Sequence, residues 1–310
     1  ENYAPGTMER LGLGADTLQA LNPRLIYASS SGFGRDGPYQ AYPAMDLTVQ
    51  AMSGVMETTG FADRPPVKAG PALCDFFAGV HLYGAIATAL FERERTGVAR
   101  RVEVAMQDAV YASLSSSLGM HWGNAGKPDA PPPRTGNRHG GLAESPYNVY
   151  PTNDGYIAII CVGDAHWSNL VRAMGRTDLL HEDRFSTLKK RVAAMDEVDA
   201  LVSAWTSTRS KAEAFATLMA SKVPCAPVRN LDEVTNDTNM HARGALQWLD
   251  HPTLGRIVVQ HSPMRYAGSA RLALRPSGEL GADTAAVLEE FGIRHLINET
   301  SETPANGAAG

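Results

Sequence analysis

The sequence predicts an α/β protein, a large domain built on a parallel sheet followed by a smaller α+β domain. Three observations carry this. A strongly apolar helix, a short β-prone run and a further helix succeed one another between residues 76 and 120, the order typical of α/β folds. A stretch with three consecutive prolines and several glycines, GKPDAPPPRTGNRHGG at 126–141, then interrupts the chain. Beyond it, a β-hairpin pattern leads into three amphipathic segments.

Taken in order, Pro5-Gly6 opens a helix over TMERLG, and ADTLQALN forms a second that ends before Pro23. Leu25 to Ser29 is a short apolar run bounded by Pro23 and the Gly32/Gly34 cluster, as a buried strand requires. The segment AMDLTVQAMSGVMETTG starts as a helix and breaks at Gly54 and Gly60. Residues 76–95 are apolar nearly all round, which predicts a buried helix, with Arg93 and Arg95 at its C-terminal end before Thr96-Gly97. Val102–Met106 reads as a strand and Asp108–Met120 as a helix. Tyr147–Tyr150 and Tyr156–Ile160 flank Asn153-Asp154-Gly155 as a hairpin. HWSNLVRAMG, MDEVDALVSAWTS and KAEAFATLMASK carry a helical apolar period. A short helix at Leu231–Glu233, strand segments near Ile257–Val259 and a helix from Thr284 to Gly292 follow, with the last dozen residues frayed. The domain boundaries expected are 1–125 for the first part of the large domain, 126–141 for a linker or functional loop, 142–230 for the small domain and 231–310 for a return segment to the large one.

Composition narrows the function. The 310 residues carry 28 Lys+Arg against 33 Asp+Glu, a net charge of −5 without a basic block, which disfavours nucleic acid or an anionic membrane surface as partner. No run approaches the roughly 18 apolar residues of a membrane span. Cys74, Cys161 and Cys225 lie far apart with no CxxC pairing, so neither a metal site nor a disulfide framework is indicated and a reducing, cytoplasmic setting fits. The glycines of SGFG at 31–34 lack GxGxxG spacing. His81 and His121 fall within helical patterns and read as structural.

Asp75 is the carboxylate that stands out, because it follows the turn-rich AGPALC and immediately precedes the apolar helix. Two readings are open. Aspartate before a helix is a preferred N-cap. The same place also offers unpaired backbone N–H groups that would hold a carboxylate ionised and serve a nearby oxyanion, so Asp75 could attack an activated acyl group.

ENYAPGTMERLGLG, NPRLIYASSSGFGRDGPY, AMDLTVQAMSGVMETTG, ALCDFFAGVHLYGAIATALFERERTG and VEVAMQDAV, in this order, closely resemble the class III CoA-transferases, the family of formyl-CoA:oxalate and carnitine CoA-transferases that includes α-methylacyl-CoA racemase. The resemblance reaches LGADTAAVLEEFG near the C-terminal end. It implies a Rossmann-like, CoA-binding large domain in an interlocked homodimer. It also implies an acyl-CoA thioester and a carboxylic acid acceptor as substrates, with no tightly bound cofactor. The family's nucleophilic aspartate falls on Asp75 in ALCDFFAG, and its CoA contacts fall on Asn2, Arg10, Leu11 and Met45.

Met45-Asp46 stands where the racemases carry His-Asp. Methionine exchanges no protons, which favours transfer over racemisation. Asp46 is open to two readings, orienting Asp75 or a bound acid, or capping a helix. Arg138-His139-Gly140-Gly141 matches in position a glycine-rich segment that covers the active site of formyl-CoA transferases, though it is shorter and poorer in glycine. His139, Gly140 and Gly141 are therefore candidates for substrate contact or a lid, against a plain hinge. By the same resemblance roughly the first quarter of the family's architecture is expected to lie upstream of Glu1, and an inactive CoA-binding fragment is a third reading.

Overall fold

A computed structural model describes residues 1–293. The frayed tail expected for the last dozen residues lies outside them. Contacts divide the chain into two compact units, Glu1–Val228 and the residues from Arg229 on.

The first unit begins with α1 (Thr7–Arg10) and α2 (Ala15–Leu21), then β1 (Tyr27–Ser31), α3 (Asp46–Met52), α4 (Leu73–Thr96) and β2 (Arg101–Ala105). β1 and β2 pair in parallel, Tyr27 opposite Arg101 through Ser31 opposite Ala105. β1 lies two residues later than the apolar run suggests. Leu25 turns its N–H back to Asn22 O, whereas Ser30 is drawn into the sheet, its hydroxyl donating to Val104 O at 3.2 Å. Met106 leaves the strand and opens α5 (Met106–Tyr111), which a tighter turn at Ala112–Leu114 joins to α6 (Ser115–Gly123). The core here is Val49, Val55, Cys74, Ala78, Met106, Ala109, Val110 and Leu114.

α4 departs from expectation. It meets β1, β2, α3 and α5, but only Cys74, Ala78 and Ala89 are buried. Phe76 and Val80 are 66% and 69% exposed, and Tyr83, Leu90 and Phe91 are exposed as well, between 41% and 64%. A two-stranded sheet covers one side of a helix, so a sequence apolar all round leaves the other side bare. α4 has 24 residues, and an 18-residue stretch of it with a mean hydropathy of 1.4 has the length and composition of a membrane-crossing helix, where no such run was expected. Gly97, at φ 74°, ends it, in a conformation glycine adopts without steric cost.

After the loop at 126–141 come β3 (Tyr147–Thr152), β4 (Gly155–Ile160), α7 (Asp164–Ala173), α8 (Leu188–Ala193), α9 (Met195–Thr206), α10 (Lys211–Ala220) and β5 (Cys225–Pro227). The hairpin stands where expected, Tyr147 opposite Ile160, and β5 adds an antiparallel third strand to β4. Trp167, Leu170, Val171 and Met174 recur at helical spacing along α7. They pack with Tyr150, Ile157, Ile159, Val198, Val202, Trp205 and Leu218 in a second core. Ser210 caps α10 by accepting the Glu213 N–H.

The second unit holds α11 (Leu231–Thr235), α12 (Thr238–Ala242), β6 (Leu246–His251), β7 (Gly255–Gln260) and α13 (Thr284–Glu290). β6 was not foreseen. Its charged and bulky LQWLDH lacks strand alternation, and it pairs with β7 antiparallel. Trp248 anchors it, stacked on His241 at 5.7 Å and under the Arg256 guanidinium at 4.6 Å.

Candidate active site

Asp75 does not precede α4 but sits in its first turn, with Ala72 at the N-cap. No hydrogen bond reaches its carboxylate among the described residues. The free N–H of that turn is taken by another acid, since Cys74 N donates to Asp46 Oδ1 at 2.8 Å. Asp46 thus caps α4 across 28 positions of sequence, the capping alternative realised on a helix other than its own. The sequence could not show this, because a cap is sought beside the helix it serves.

The charge consequence reverses the expected sign. Partial burial first, and then the negative charge of Asp46, raise the Asp75 carboxyl above the ordinary aspartate value. At that helix N-terminus the Cys74 N–H goes to Asp46 and not to Asp75. Burial, together with Asp46 and Asp75, likewise pushes the neighbouring Cys74 thiol up to about 11, which makes it a packed, unreactive thiol. Asp75 itself is exposed, and a thioester can reach it.

Asp46 is fixed from its own helix. Gln50 Nε2 donates to Asp46 Oδ2 at 2.6 Å, while Gln50 Oε1 accepts the Ala69 N–H at 2.9 Å. Gln50 escaped the sequence reading. Its signal was a polar residue one turn after an aspartate on an otherwise apolar helix face. Met45, 75% exposed, occupies the N-cap position of α3, where its N–H donates to Thr48 Oγ1 at 3.0 Å.

Near the N-terminus, Glu1 backbone bonds to Ala28 O and Ser30 N lay the first residues along β1. Asn2 is exposed beside them and Leu11 is exposed at the end of α1. Arg10 donates to Thr7 Oγ1 at 2.9 Å and has no carboxylate partner among the described residues. Arg35, another residue missed in sequence, gathers three carboxylates. Its guanidinium pairs with Glu1 and Glu9, and its backbone N–H donates to Glu103 Oε1 at 2.5 Å.

The loop after the prolines is tied elsewhere. Arg138 Nε donates to Asp199 Oδ2 at 2.8 Å and its Nη2 to Asp196 at 2.6 Å. His139 Nδ1 accepts the Gly141 N–H at 3.2 Å, and the ring meets Tyr147 edge-on at 5.6 Å. A Cβ on Gly140 or Gly141 would come within 3.2 or 2.7 Å of the end of the Met120 side chain. Gly140 also borders a cavity of about 580 Å³ with Tyr111, His121 and Pro131–Pro133, and Asp75 is not in its lining. The structure therefore joins Asp46 to the turn that carries Asp75 through the Cys74 N–H, with Met45 next to Asp46 in the chain, and packs the 139–141 loop on Met120 and Tyr147. Among the described residues no cluster has the makings of a metal site.

An exposed carboxylate held above its ordinary value thus sits on a helix of a unit with a parallel strand pair, and comparison with known proteins gives the chain a class. Residues 1–284 match the family described as CoA-transferase family III. The chain is 36% identical over 293 residues to the acetyl-CoA:oxalate CoA-transferase of Acetobacter aceti, spanning 94% of this chain and 72% of that one. It is 33% identical over 298 residues to the succinate–glutarate CoA-transferase of Agrobacterium fabrum, spanning 94% and 71%. The solved structure of a CAIB/BAIF family protein from Brucella suis superposes with a TM-score of 0.80 at 31% identity, over 94% of this chain and 74% of that one. The chain belongs to the family III CoA-transferases.

Proposed function

We propose that this enzyme moves CoA from an acyl-CoA thioester to a small carboxylic acid through covalent intermediates on Asp75. The observation that carries the reading is an exposed carboxylate whose basicity is raised by partial burial and by Asp46, on a helix turn that Asp46 holds in place. A more basic carboxylate is a better nucleophile toward a thioester carbonyl.

One Asp75 oxygen attacks that carbonyl. The C–S bond breaks, leaving a mixed anhydride and CoA thiolate. The thiolate attacks the Asp75 side-chain carbonyl of the anhydride, releasing the donor acid as carboxylate and leaving an aspartyl-CoA thioester. The acceptor carboxylate attacks this thioester, expelling thiolate and forming a second anhydride. Thiolate then attacks the acceptor's carbonyl, which yields the new acyl-CoA and restores the Asp75 carboxylate. No net proton or energy input is required.

Asn2, Arg10, Leu11 and Met45 are proposed to contact CoA. The exposed guanidinium of Arg10, without a carboxylate partner among the described residues, supports a phosphate contact. Asp46, His139, Gly140 and Gly141 are proposed to serve the acid or its cover. The acceptor class is small dicarboxylates, after the oxalate and glutarate in the names of the two relatives. Racemisation is disfavoured because Met45 supplies no base where a proton must be exchanged. The bare apolar stripe of α4 supports a homodimer. The three free thiols support work in a reducing cytoplasm.

The test is CoA exchange from acetyl-, formyl- and succinyl-CoA to a panel of acids including oxalate and glutarate. Asp75→Ala is expected to abolish exchange while circular dichroism stays native, and hydroxylamine trapping should mark only the Asp75 peptide. Normal exchange by Asp75→Ala overturns the reading.

A further inference from the structure

We propose that Gln50 is a positioning residue for the nucleophile, a buried amide that sets Asp46 and, through it, the first turn of α4. The inference rests on the reading of Asp75 given above. Gln50 is 0% exposed, and both ends of its side chain are committed. Its Nε2 meets Asp46 Oδ2 at 2.6 Å and its Oε1 meets the Ala69 N–H at 2.9 Å. Only one amide orientation satisfies a carboxylate on one side and an N–H on the other, so the network itself fixes which atom is nitrogen.

The result is a chain of contacts in which each member has one task. Residues 61–72, the approach to α4, contain no helix or strand, and an irregular stretch cannot hold a nucleophile in place unaided. Gln50 fixes it at Ala69. Gln50 also takes one oxygen of Asp46, which leaves the other for Cys74 N at 2.8 Å, one residue before Asp75. Without the amide, the Asp46 carboxylate loses its restraint in rotation. Both the backbone under Asp75 and the distance from Asp46 to the Asp75 charge then become variable. The titratable groups around this amide are Asp46, Cys74 and Asp75, with Lys68 bonded to Ala69 O and Gly70 O beside it.

Two substitutions separate positioning from mere packing. Gln50→Leu keeps the volume and removes both bonds. Gln50→Glu keeps the shape and the acceptor for Ala69, but sets a second carboxyl against Asp46; the pair shares a proton at low pH and repels once both acids are ionised. In the exchange assay above, Gln50→Leu is expected to lower kcat on the order of 10²-fold at every pH, with KM for acyl-CoA within about threefold of native. Gln50→Glu is expected to lose a similar factor at pH 8 and to regain it relative to native as the pH falls, because the protonated acid again donates to Asp46. Amide hydrogen exchange read by mass spectrometry should accelerate at 69–74 in Gln50→Leu and stay native in α9. Native kcat in both variants alongside an inactive Asp75→Ala overturns the proposal, as does a Gln50→Glu deficit that is the same at every pH. An active Asp75→Ala would instead remove the assignment of the nucleophile on which it rests.

Discussion

Asp199 permits a quantitative test of how the loop before β3 is anchored. Its side chain is 12% exposed and carries three donors, Arg138 Nε at 2.8 Å, Asn148 Nδ2 at 2.9 Å and the Tyr150 hydroxyl at 2.7 Å. Burial and the Asp199 charge raise the Tyr150 hydroxyl above its ordinary value, so Tyr150 enters the network as a neutral donor. Asp199→Ala strands that hydroxyl, which at 1% exposure has no water to turn to, at about 1–3 kcal/mol. Arg138 is 30% exposed and keeps Asp196, so its share is about 1 kcal/mol. The sum is about 3 kcal/mol. Asp199→Asn differs, because the amide oxygen can face Arg138 and Asn148 while its NH₂ faces Tyr150, whose hydroxyl also accepts. Only charge is lost, about 1 kcal/mol. At about 2–4 °C per kcal/mol for a unit of this size, Tm should fall about 6–12 °C for Ala and about 2–4 °C for Asn in a thermal melt. Adding Tyr150→Phe should return part of the Ala loss, because the stranded hydroxyl is then gone. Equal losses for Asn and Ala would refute the reasoning, as would an Ala loss below about 1 kcal/mol.

Asp46→Asn removes the charge that, after burial, raises Asp75, so the acid limb of kcat against pH should move to lower pH; an unmoved limb contradicts the coupling. Because the folded Asp75 value lies above the unfolded one, its contribution to stability is present below the unfolded pKa and lost as pH rises through the folded value. Asp75→Asn should therefore gain in Tm relative to native as pH rises across that window. Fully buried Arg191 donates to Ser145 O, Phe185 O and Asp164 Oδ1 and lies 5.4 Å from the Trp167 ring. Arg191→Met fills the space but strands two carbonyls, and should cost about 3–4 kcal/mol in urea unfolding. Gly136 has φ 64°, and an added Cβ would lie 2.6 Å from the Phe61 ring. Gly136→Ala should cost about 1–2 kcal/mol by the same measurement.

Local pattern sufficed where contacts are local. The turn at Asn153–Gly155, the apolar period of α7 and the stop of α4 at Gly97 are settled by residues a few positions apart, so hydrophobic spacing and glycine placement made them legible. β6 was illegible because Trp248 owes its place to His241 and Arg256, and the start of β1 because its partner lies some 70 residues on. The burial predicted for α4 failed for a related reason: apolar composition states what a helix would cover if a surface were offered, not how much surface there is.

At the candidate site the sequence by itself determined the residue types, an aspartate at the opening of an apolar helix and a Met-Asp pair upstream of it, and the family to which the chain belongs. The tertiary structure alone decided their relations. It placed Asp75 inside the first turn, brought Asp46 across 28 positions to cap that turn and raise its neighbour, and tied Asp46 to Ala69 through Gln50. The physical reason is that a side chain's chemistry travels with its identity, whereas hydrogen bonding, desolvation and charge coupling act over a few ångströms and answer to distance in space, which the order of residues along the chain does not state.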